Sequence, residues 1–153
     1  MMAPGADTKS VVDVSTAQLV LFSVGNLMCG LDIRSVQEIS SDTEITPVHH
    51  ARSYVRGVIN LRGQLLTVID LRCKLGMRPL DLSAEMRIVV VRGQDGVVGL
   101  LVEQVDDVVA IDVETLEPPP GHIEQVPGAF FHAICKMDDR LAAVLDLSRV
   151  LEV

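Results

Sequence analysis

Aromatic side chains are nearly missing from this sequence, which has no Trp, one Tyr and three Phe among 153 residues. Proteins that bind single-stranded nucleic acids stack the bases on aromatic rings. Basic residues are also in the minority, since 13 Lys and Arg stand against 21 Asp and Glu, for a net charge of −8. Because phosphate contacts need the opposite sign, we expect no nucleic-acid partner. The core must consist of Val, Leu and Ile, which favour strands.

Long apolar runs are missing as well. The longest, such as Val97–Val102, extend over about six residues, whereas a membrane-spanning helix needs roughly 20. The first ten residues contain no apolar core of the kind that a signal peptide requires. We therefore expect no membrane insertion and a cytoplasmic location. Residues 1–14 are small and polar, which predicts a flexible tail ahead of a folded domain at 15–153.

Cysteine and histidine give no sign of a metal site or a disulfide framework. The three cysteines are odd in number and far apart, and none lies beside a base that would activate a thiolate. His49-His50 is the most tempting pair, but it has no third ligand at local spacing. No phosphate-binding glycine loop or nucleophile elbow is present. We predict no enzyme activity, no metal and no cofactor.

One alternative function would involve ligand binding or catalysis. A small-molecule-binding or hydrolytic β-barrel would require a deep pocket lined by His49, His50 or Asp138.

Turn residues divide the chain into short strands and hairpins. Val55–Leu61 and Gln64–Asp70 flank Arg62-Gly63, which predicts a hairpin with glycine in its turn, and Asp70 then precedes a one-turn helix that it can cap. A further strand is expected over Thr43–Val48. The second half of the chain repeats this order of hairpins, strand and capped helix.

The repeat can be counted residue by residue. At an offset of 69, Gly30-Leu31 matches Gly99-Leu100, Ile33 matches Val102, Val36 matches Val105 and Ile39 matches Val108. At an offset of 76, Leu65 matches Leu141, Val68 matches Val144, Asp70 matches Asp146 and Leu75 matches Leu151. We therefore expect one domain of two similar halves, about 17–82 and 85–153, with five or so strands each. Such halves imply two small barrels, which have few edges to protect.

Charge is unevenly distributed along the chain. Residues 52–78 carry six basic side chains and one acid, whereas residues 103–124 carry seven acids and no Lys or Arg. Two solvated faces would explain this pattern, and so would a surface that selects charged protein partners.

The segment Tyr54–Gly63, which reads YVRGVINLRG, is followed by LTVIDLR at 66–72. Together with Gly30–Ile33 and Val105–Val108, it resembles the signature of the CheW family of chemotaxis coupling proteins, in order from about Gln18 to Leu151. The resemblance implies an all-β fold with short helices, made of two five-stranded SH3-like barrels with an apolar groove between them.

The same resemblance implies a function and partners. The chain would be a non-enzymatic adaptor that couples the cytoplasmic tip of methyl-accepting chemoreceptors to a CheA-type histidine kinase, through that kinase's CheW-like regulatory domain. A coupling protein of a non-flagellar pathway, which controls pili or gene expression, is the alternative within the family.

The family's receptor-binding groove carries over by position to seven residues, whereas the kinase contact carries over to none. The seven are Val36, Glu38, Ile39, Gly57, Arg62, Val105 and Val108. The four apolar members occupy duplicated positions, as expected if each half offers the same ridge to a partner helix. Ordinary core packing is the alternative for the valines, and a solvated turn is the alternative for Arg62. The segment 47–51 has one proline where the family often has two, which affects the expected shape of that loop.

Overall fold

The computed structural model describes residues 16–79, 81 and 83–152, and this part of the chain is mainly β. The predicted tail at 1–14 lies outside the described residues. The strands are β1 (Thr16–Val24), β2 (Leu27–Asp32), β3 (Val36–Ser40), β4 (Val55–Leu61), β5 (Gln64–Asp70), β6 (Arg87–Gly93), β7 (Gly96–Val102), β8 (Gln104–Asp112), β9 (His122–Ile123), β10 (Val126–Pro127), β11 (Phe131–Lys136) and β12 (Leu141–Leu145). The helices are α1 (Leu71–Lys74), α2 (Leu147–Val150) and the 3-10 turns η1 (Ile33–Ser35), η2 (Val113–Thr115) and η3 (Gly128–Phe130).

Two five-stranded sheets make up most of the fold, with a two-stranded ribbon of β9 and β10 beside them. The first sheet has the order β11-β12-β2-β1-β8, and the second has the order β4-β5-β7-β6-β3. The expected all-β class with two five-stranded units and short helices is confirmed.

The counted repeat is a repeat of topology, but the two halves exchange their first hairpins. When each strand is replaced by its counterpart in the other half, the order of one sheet becomes the order of the other. The β1–β2 hairpin nevertheless lies in the sheet with β8, β11 and β12, and the β6–β7 hairpin lies with β3, β4 and β5. Each sheet therefore takes strands from both sides of the sequence midpoint. Alternating apolar residues specify which face is buried but not which strand lies alongside.

Gly30 and Gly99, which are equivalent in the repeat, lie where each exchanged hairpin pairs with the remaining strands of its sheet. Gly30 pairs with Val144 in the parallel contact of β2 and β12, and Gly99 pairs with Val68 in that of β7 and β5. A Cβ at Gly99 would lie 2.7 Å from Cγ2 of Ile88, closer than packed carbon atoms approach. The glycines are matched because each lets a side chain from the neighbouring strand cross its backbone.

The core has a central cluster and one smaller cluster for each sheet. In β1, Val20 and Phe22 belong to the central cluster, which spans both sheets, whereas Leu19 and Leu21 belong to the cluster of the first sheet. In β6, alternate residues divide in the same way between the central cluster and the second sheet's cluster. The exchanged hairpins are thus buried on both faces, and their sequences are continuous apolar runs for that reason.

One local prediction fails between β3 and β4, and the short strands β9 and β10 had no prediction. The carboxylates of Asp32, Asp70 and Asp146 each accept backbone hydrogen bonds at the start of the short helix that follows them. The predicted strand at Thr43–Val48 is wrong, because only Thr46 makes a β-bridge, to Val58. Pro47 has no N–H to extend the pairing, and the Asp42 carboxylate accepts a hydrogen bond from the backbone N–H of Glu44.

Candidate functional site

A bulge in each edge strand turns the predicted apolar residues to one face. Two residues three apart on a regular strand point to opposite faces. The register of β3 shifts between Val36 and Glu38, so that Val36 lies opposite Val91 and Ile39 lies opposite Val89. Both partners belong to the central cluster, and directly paired residues share a face. Val36 and Ile39 therefore both lie on the face of their sheet that is turned toward the central cluster.

The second sheet edge repeats this arrangement. In β8, Val105 lies opposite Phe22 and Val108 lies opposite Val20, with a register shift between the two pairs. Val36 and Val105 are half-buried against the central cluster, whereas Ile39 and Val108 are 40% and 43% exposed. Each edge thus has one inner valine that supports the core and one outer apolar residue in contact with solvent. The alternative of ordinary core packing describes the inner residues in part and does not describe the outer ones.

Arg62 lies in the tight turn between β4 and β5. Arg62 and Gly63 have φ angles of 54° and 82°, the conformation that two-residue hairpins require at both central positions. The Arg62 side chain is 82% exposed and its guanidinium is 3.4 Å from Oε1 of Glu38. The structure therefore joins two predicted site residues, Glu38 and Arg62, in an ion pair at the surface.

Gly57 supports this region through its backbone. It is buried at a bulge in β4, with a φ angle of +149°. A Cβ there would lie 2.1 Å from the carbonyl oxygen of Thr46. Thr46 and Val58 exchange two backbone hydrogen bonds of 2.8 Å across the same point. Gly57 thus lets the segment before β4 lie against the strand that leads to Arg62.

The second half has a matching surface that sequence reasoning missed. Arg140, beside the turn of the β11–β12 hairpin, is 3.5 Å from Asp106 of β8. This pair joins a hairpin turn to an edge strand as Arg62 and Glu38 do in the first half, although the repeat itself matches Arg62 with Asp138 and Glu38 with Asp107. Leu65 and Leu141, which are counterparts in the repeat, are 67% and 43% exposed. The repeat at an offset of 76 matches these two leucines in the sequence. Only the structure shows that both are exposed to solvent and therefore available to a partner.

The interior offers no activated nucleophile among the cysteines. Burial raises the pKa of the Cys29 thiol to about 12, and burial also raises the pKa of Cys135. The pKa of Cys73 is raised by burial and, next, by the neighbouring Asp70 carboxylate. Thiolates are the reactive form of cysteine, so all three environments favour an inert thiol.

The alternative of a hydrolytic or ligand-binding barrel required a pocket at specified residues. Neither of two cavities in the described part of the chain, of about 630 and 520 Å³, is lined by His49, His50 or Asp138. Within residues 16–79, 81 and 83–152, no group of three His, Cys, Asp or Glu side chains is arranged to hold a metal ion. No helix in the same ranges is long and apolar enough to cross a bilayer.

Two five-stranded sheets related by an internal repeat are the architecture of a CheW-like domain. The family model of the CheW-like domain matches residues 18–153, and the chain belongs to this family, a class of scaffolding proteins rather than enzymes.

Relatives agree with that assignment. The probable chemotaxis protein CheW of Rhizobium etli is 36% identical over 130 residues, which cover 85% of this chain and 84% of that protein. The crystal structure of the scaffolding protein TtCheW from Thermoanaerobacter tengcongensis is similar with a TM-score of 0.82 and 34% identity, over 90% of this chain and 88% of that one. A weaker match, protein PilI of Pseudomonas aeruginosa, is 27% identical over 113 residues, which cover 74% of this chain and 64% of PilI.

Proposed function

We propose that this protein is a cytoplasmic adaptor that couples chemoreceptors to a CheA-type histidine kinase. The observation that supports the proposal most is the pair of bulged edges, which holds Val36 with Ile39 and Val105 with Val108 at the border of the central cluster. Partly exposed apolar residues on a rigid sheet are suited to receive the apolar face of a partner helix. Chemoreceptor tips, as helical hairpins, present such a face.

The ion pair of Glu38 and Arg62 supplies the polar part of the proposed receptor site. An arginine held in a hairpin turn by one monodentate carboxylate contact retains donors for a second carboxylate. Its exposure makes it accessible without any rearrangement of the fold. We propose that a receptor carboxylate binds Arg62 while apolar side chains of the receptor contact Ile39 and Val108.

For the kinase, we propose pseudosymmetric docking between one sheet unit of this chain and the homologous unit of the kinase's CheW-like domain. Similar folds can pair through similar surfaces. The exposed Leu65 and Leu141, at equivalent positions of the two halves, are candidates for the apolar centre of such a contact.

Reconstitution tests the adaptor function. Receptor signalling fragments on vesicles are sedimented with purified cognate kinase, with and without this chain at about 50 μM, a concentration that nearly saturates a complex with a dissociation constant of about 1 μM, or about −8 kcal/mol. We expect the kinase to sediment with the receptor only when this chain is present. The proposal fails if the kinase sediments equally well without it, or if the chain binds neither partner.

A second candidate is coupling in a pathway that controls pili or gene expression, and the similarity to PilI favours it. The same sedimentation assay, with receptors and kinases from each chemosensory cluster of the host, separates the two. The cognate set is the one in which kinase recruitment saturates at the lowest concentration of this chain.

A further inference from the structure

The larger cavity, of about 630 Å³, lies beside the start of β1 on the first sheet. Its apolar wall includes Leu19, Ile111 and Leu116, and its polar lining includes Asp32, His132 and Asp146. None of the seven predicted receptor-groove residues lines it. The cavity is thus a separate surface, and the internal repeat provides a matched site in the same molecule for comparison.

In the other half, a methionine fills the corresponding space. Ala17 lines the cavity, and its counterpart at an offset of 69 is Met86. Met86 is 1% exposed and packs in the second sheet's cluster, where its sulfur accepts a hydrogen bond of 3.0 Å from the backbone N–H of Ser83. Because Ala17 has only a methyl group at the position where the second sheet has the Met86 side chain, the first sheet has a cavity at the site that Met86 fills in the second.

The polar side of the cavity also lacks a group that is present at the equivalent site of the second sheet. In the second sheet, a bulge in β4 at Arg56 brings its guanidinium 2.9 Å from the carboxylate of the cap residue Asp70. In the first sheet, the matching bulge in β11 carries His132, and the matching cap residue is Asp146. Histidine therefore replaces the arginine that closes the other site.

The Asp146 carboxylate has no ion-pair partner within the described ranges. It accepts hydrogen bonds of 2.7 Å from the Ser148 hydroxyl and 3.4 Å from the backbone N–H of Arg149. The guanidinium of Arg34, which also lines the cavity, already binds both carboxylate oxygens of Asp32. A cation that enters the cavity would meet a carboxylate without a charged partner, next to an apolar wall.

We propose that this cavity is a docking site for a partner protein that inserts a side chain of methionine or leucine size together with an arginine. The partner would supply in trans the two groups that Met86 and Arg56 supply in cis in the other half. Charge complementarity favours this occupant, because Asp146 lines the cavity without an ion-pair partner in the described ranges, whereas its counterpart Asp70 binds a guanidinium. The proposal goes beyond the receptor groove and the kinase contact, and it does not depend on either.

Nuclear magnetic resonance titration of the ¹⁵N-labelled full chain tests the proposal with N-acetyl-Met-Arg-amide as the probe. We expect saturable shifts of the backbone amides of Ala17, Asp32, His132 and Asp146, with a dissociation constant of about 1 mM for so short a ligand. N-acetyl-Met-Glu-amide should bind at least about tenfold more weakly, because its carboxylate faces Asp146.

Two variants make the test specific. Ala17→Met should fill the cavity and weaken binding of the Met-Arg probe at least about tenfold, whereas Ala51→Met, at an exposed loop position, should bind like the parent. Should Ala17→Met fail to fold, Asp146→Asn replaces it, because Asn retains the helix cap and should remove the preference for Arg over Glu.

Three outcomes overturn the proposal. In the first, the probe shifts other amides, or no amides, at probe concentrations up to 20-fold above the expected dissociation constant. In the second, Ala17→Met binds the probe like the parent. In the third, the cavity amides shift with the concentration of this protein alone, which would identify a second copy as the occupant. Neither receptor nor kinase is present in this assay, so its failure leaves the adaptor proposal unaffected.

Discussion

Glu38 and Arg62 lie at opposite ends of one five-stranded sheet and meet in an ion pair of 3.4 Å. Glu38 belongs to the edge strand β3, and Arg62 belongs to the turn after the other edge strand, β4. The sheet is therefore curled until its edges approach, and Asp106 with Arg140 marks the same approach in the other sheet at 3.5 Å. Exposed ion pairs contribute about 0–1 kcal/mol, so the pairs follow from the curvature and do not cause it.

Replacement of Arg62 by Ala should separate binding from stability. The free energy of unfolding should change by about 0.5 kcal/mol or less, because the side chain is exposed. Removal of an interface arginine typically costs about 2 kcal/mol of binding energy, which corresponds to about thirtyfold in affinity for the receptor fragment. Titration calorimetry with that fragment measures the effect. Lys136→Ala is the control, because Lys136 is also an exposed cation paired with a carboxylate; equal affinities for the two variants would contradict the assignment of Arg62.

Gly57 and Gly63 should differ strongly in their tolerance of alanine. Both have positive φ angles, but only at Gly57 would a Cβ collide with backbone, 2.1 Å from the Thr46 carbonyl oxygen. Gly63→Ala meets no atom within 4 Å and should cost about 1 kcal/mol for the left-handed conformation. Gly57→Ala should cost about 3 kcal/mol or more, equivalent to a fall in Tm of about 6–12 °C. Calorimetric melting measures both, and similar melting temperatures would show that the backbone at Gly57 adapts.

The two aspartate caps should respond differently to Asn. Asn is as good an N-cap as Asp, so the substitution tests charge alone. Asp70→Asn leaves the half-buried Arg56 without its carboxylate, which should cost about 2–4 kcal/mol. Asp146→Asn breaks no ion pair within the described ranges and should change stability by about 0.5 kcal/mol or less. Urea denaturation curves of the two variants provide the comparison; equal midpoints would show that Arg56 contributes nothing through Asp70.

The three cysteines of the folded protein should react with an alkylating reagent at different rates. At pH 8, a thiol with a pKa of about 12, such as Cys29, is ionised to only about one part in ten thousand, and the thiolate is the reactive form. Cys29 and Cys135 are also buried. We expect iodoacetamide to label the half-buried Cys73 first, and more slowly than free cysteine because its pKa is raised. Mass spectrometry of digests follows each site, with guanidinium-unfolded protein as the control in which all three react. Labelling of Cys29 as fast as Cys73 would refute the buried placement.

Local chemistry in the sequence determined the hairpins, the capped short helices and the internal repeat of this protein. Turn glycines, cap aspartates and apolar alternation act over a few residues. They correctly predicted the hairpin turn at Arg62-Gly63 and the helix caps at Asp70 and Asp146. The tertiary structure alone decided which sheet each hairpin joined, because both halves present the same apolar pattern and the choice depends on partners between 31 residues away (Val68 with Gly99) and 114 residues away (Gly30 with Val144). It also decided that bulges turn Val36 and Ile39 to one face, that Glu38 meets Arg62, and that Ala17 leaves open the space that Met86 fills. Each of these depends on packing between segments distant in sequence, for which no local pattern provides a signal.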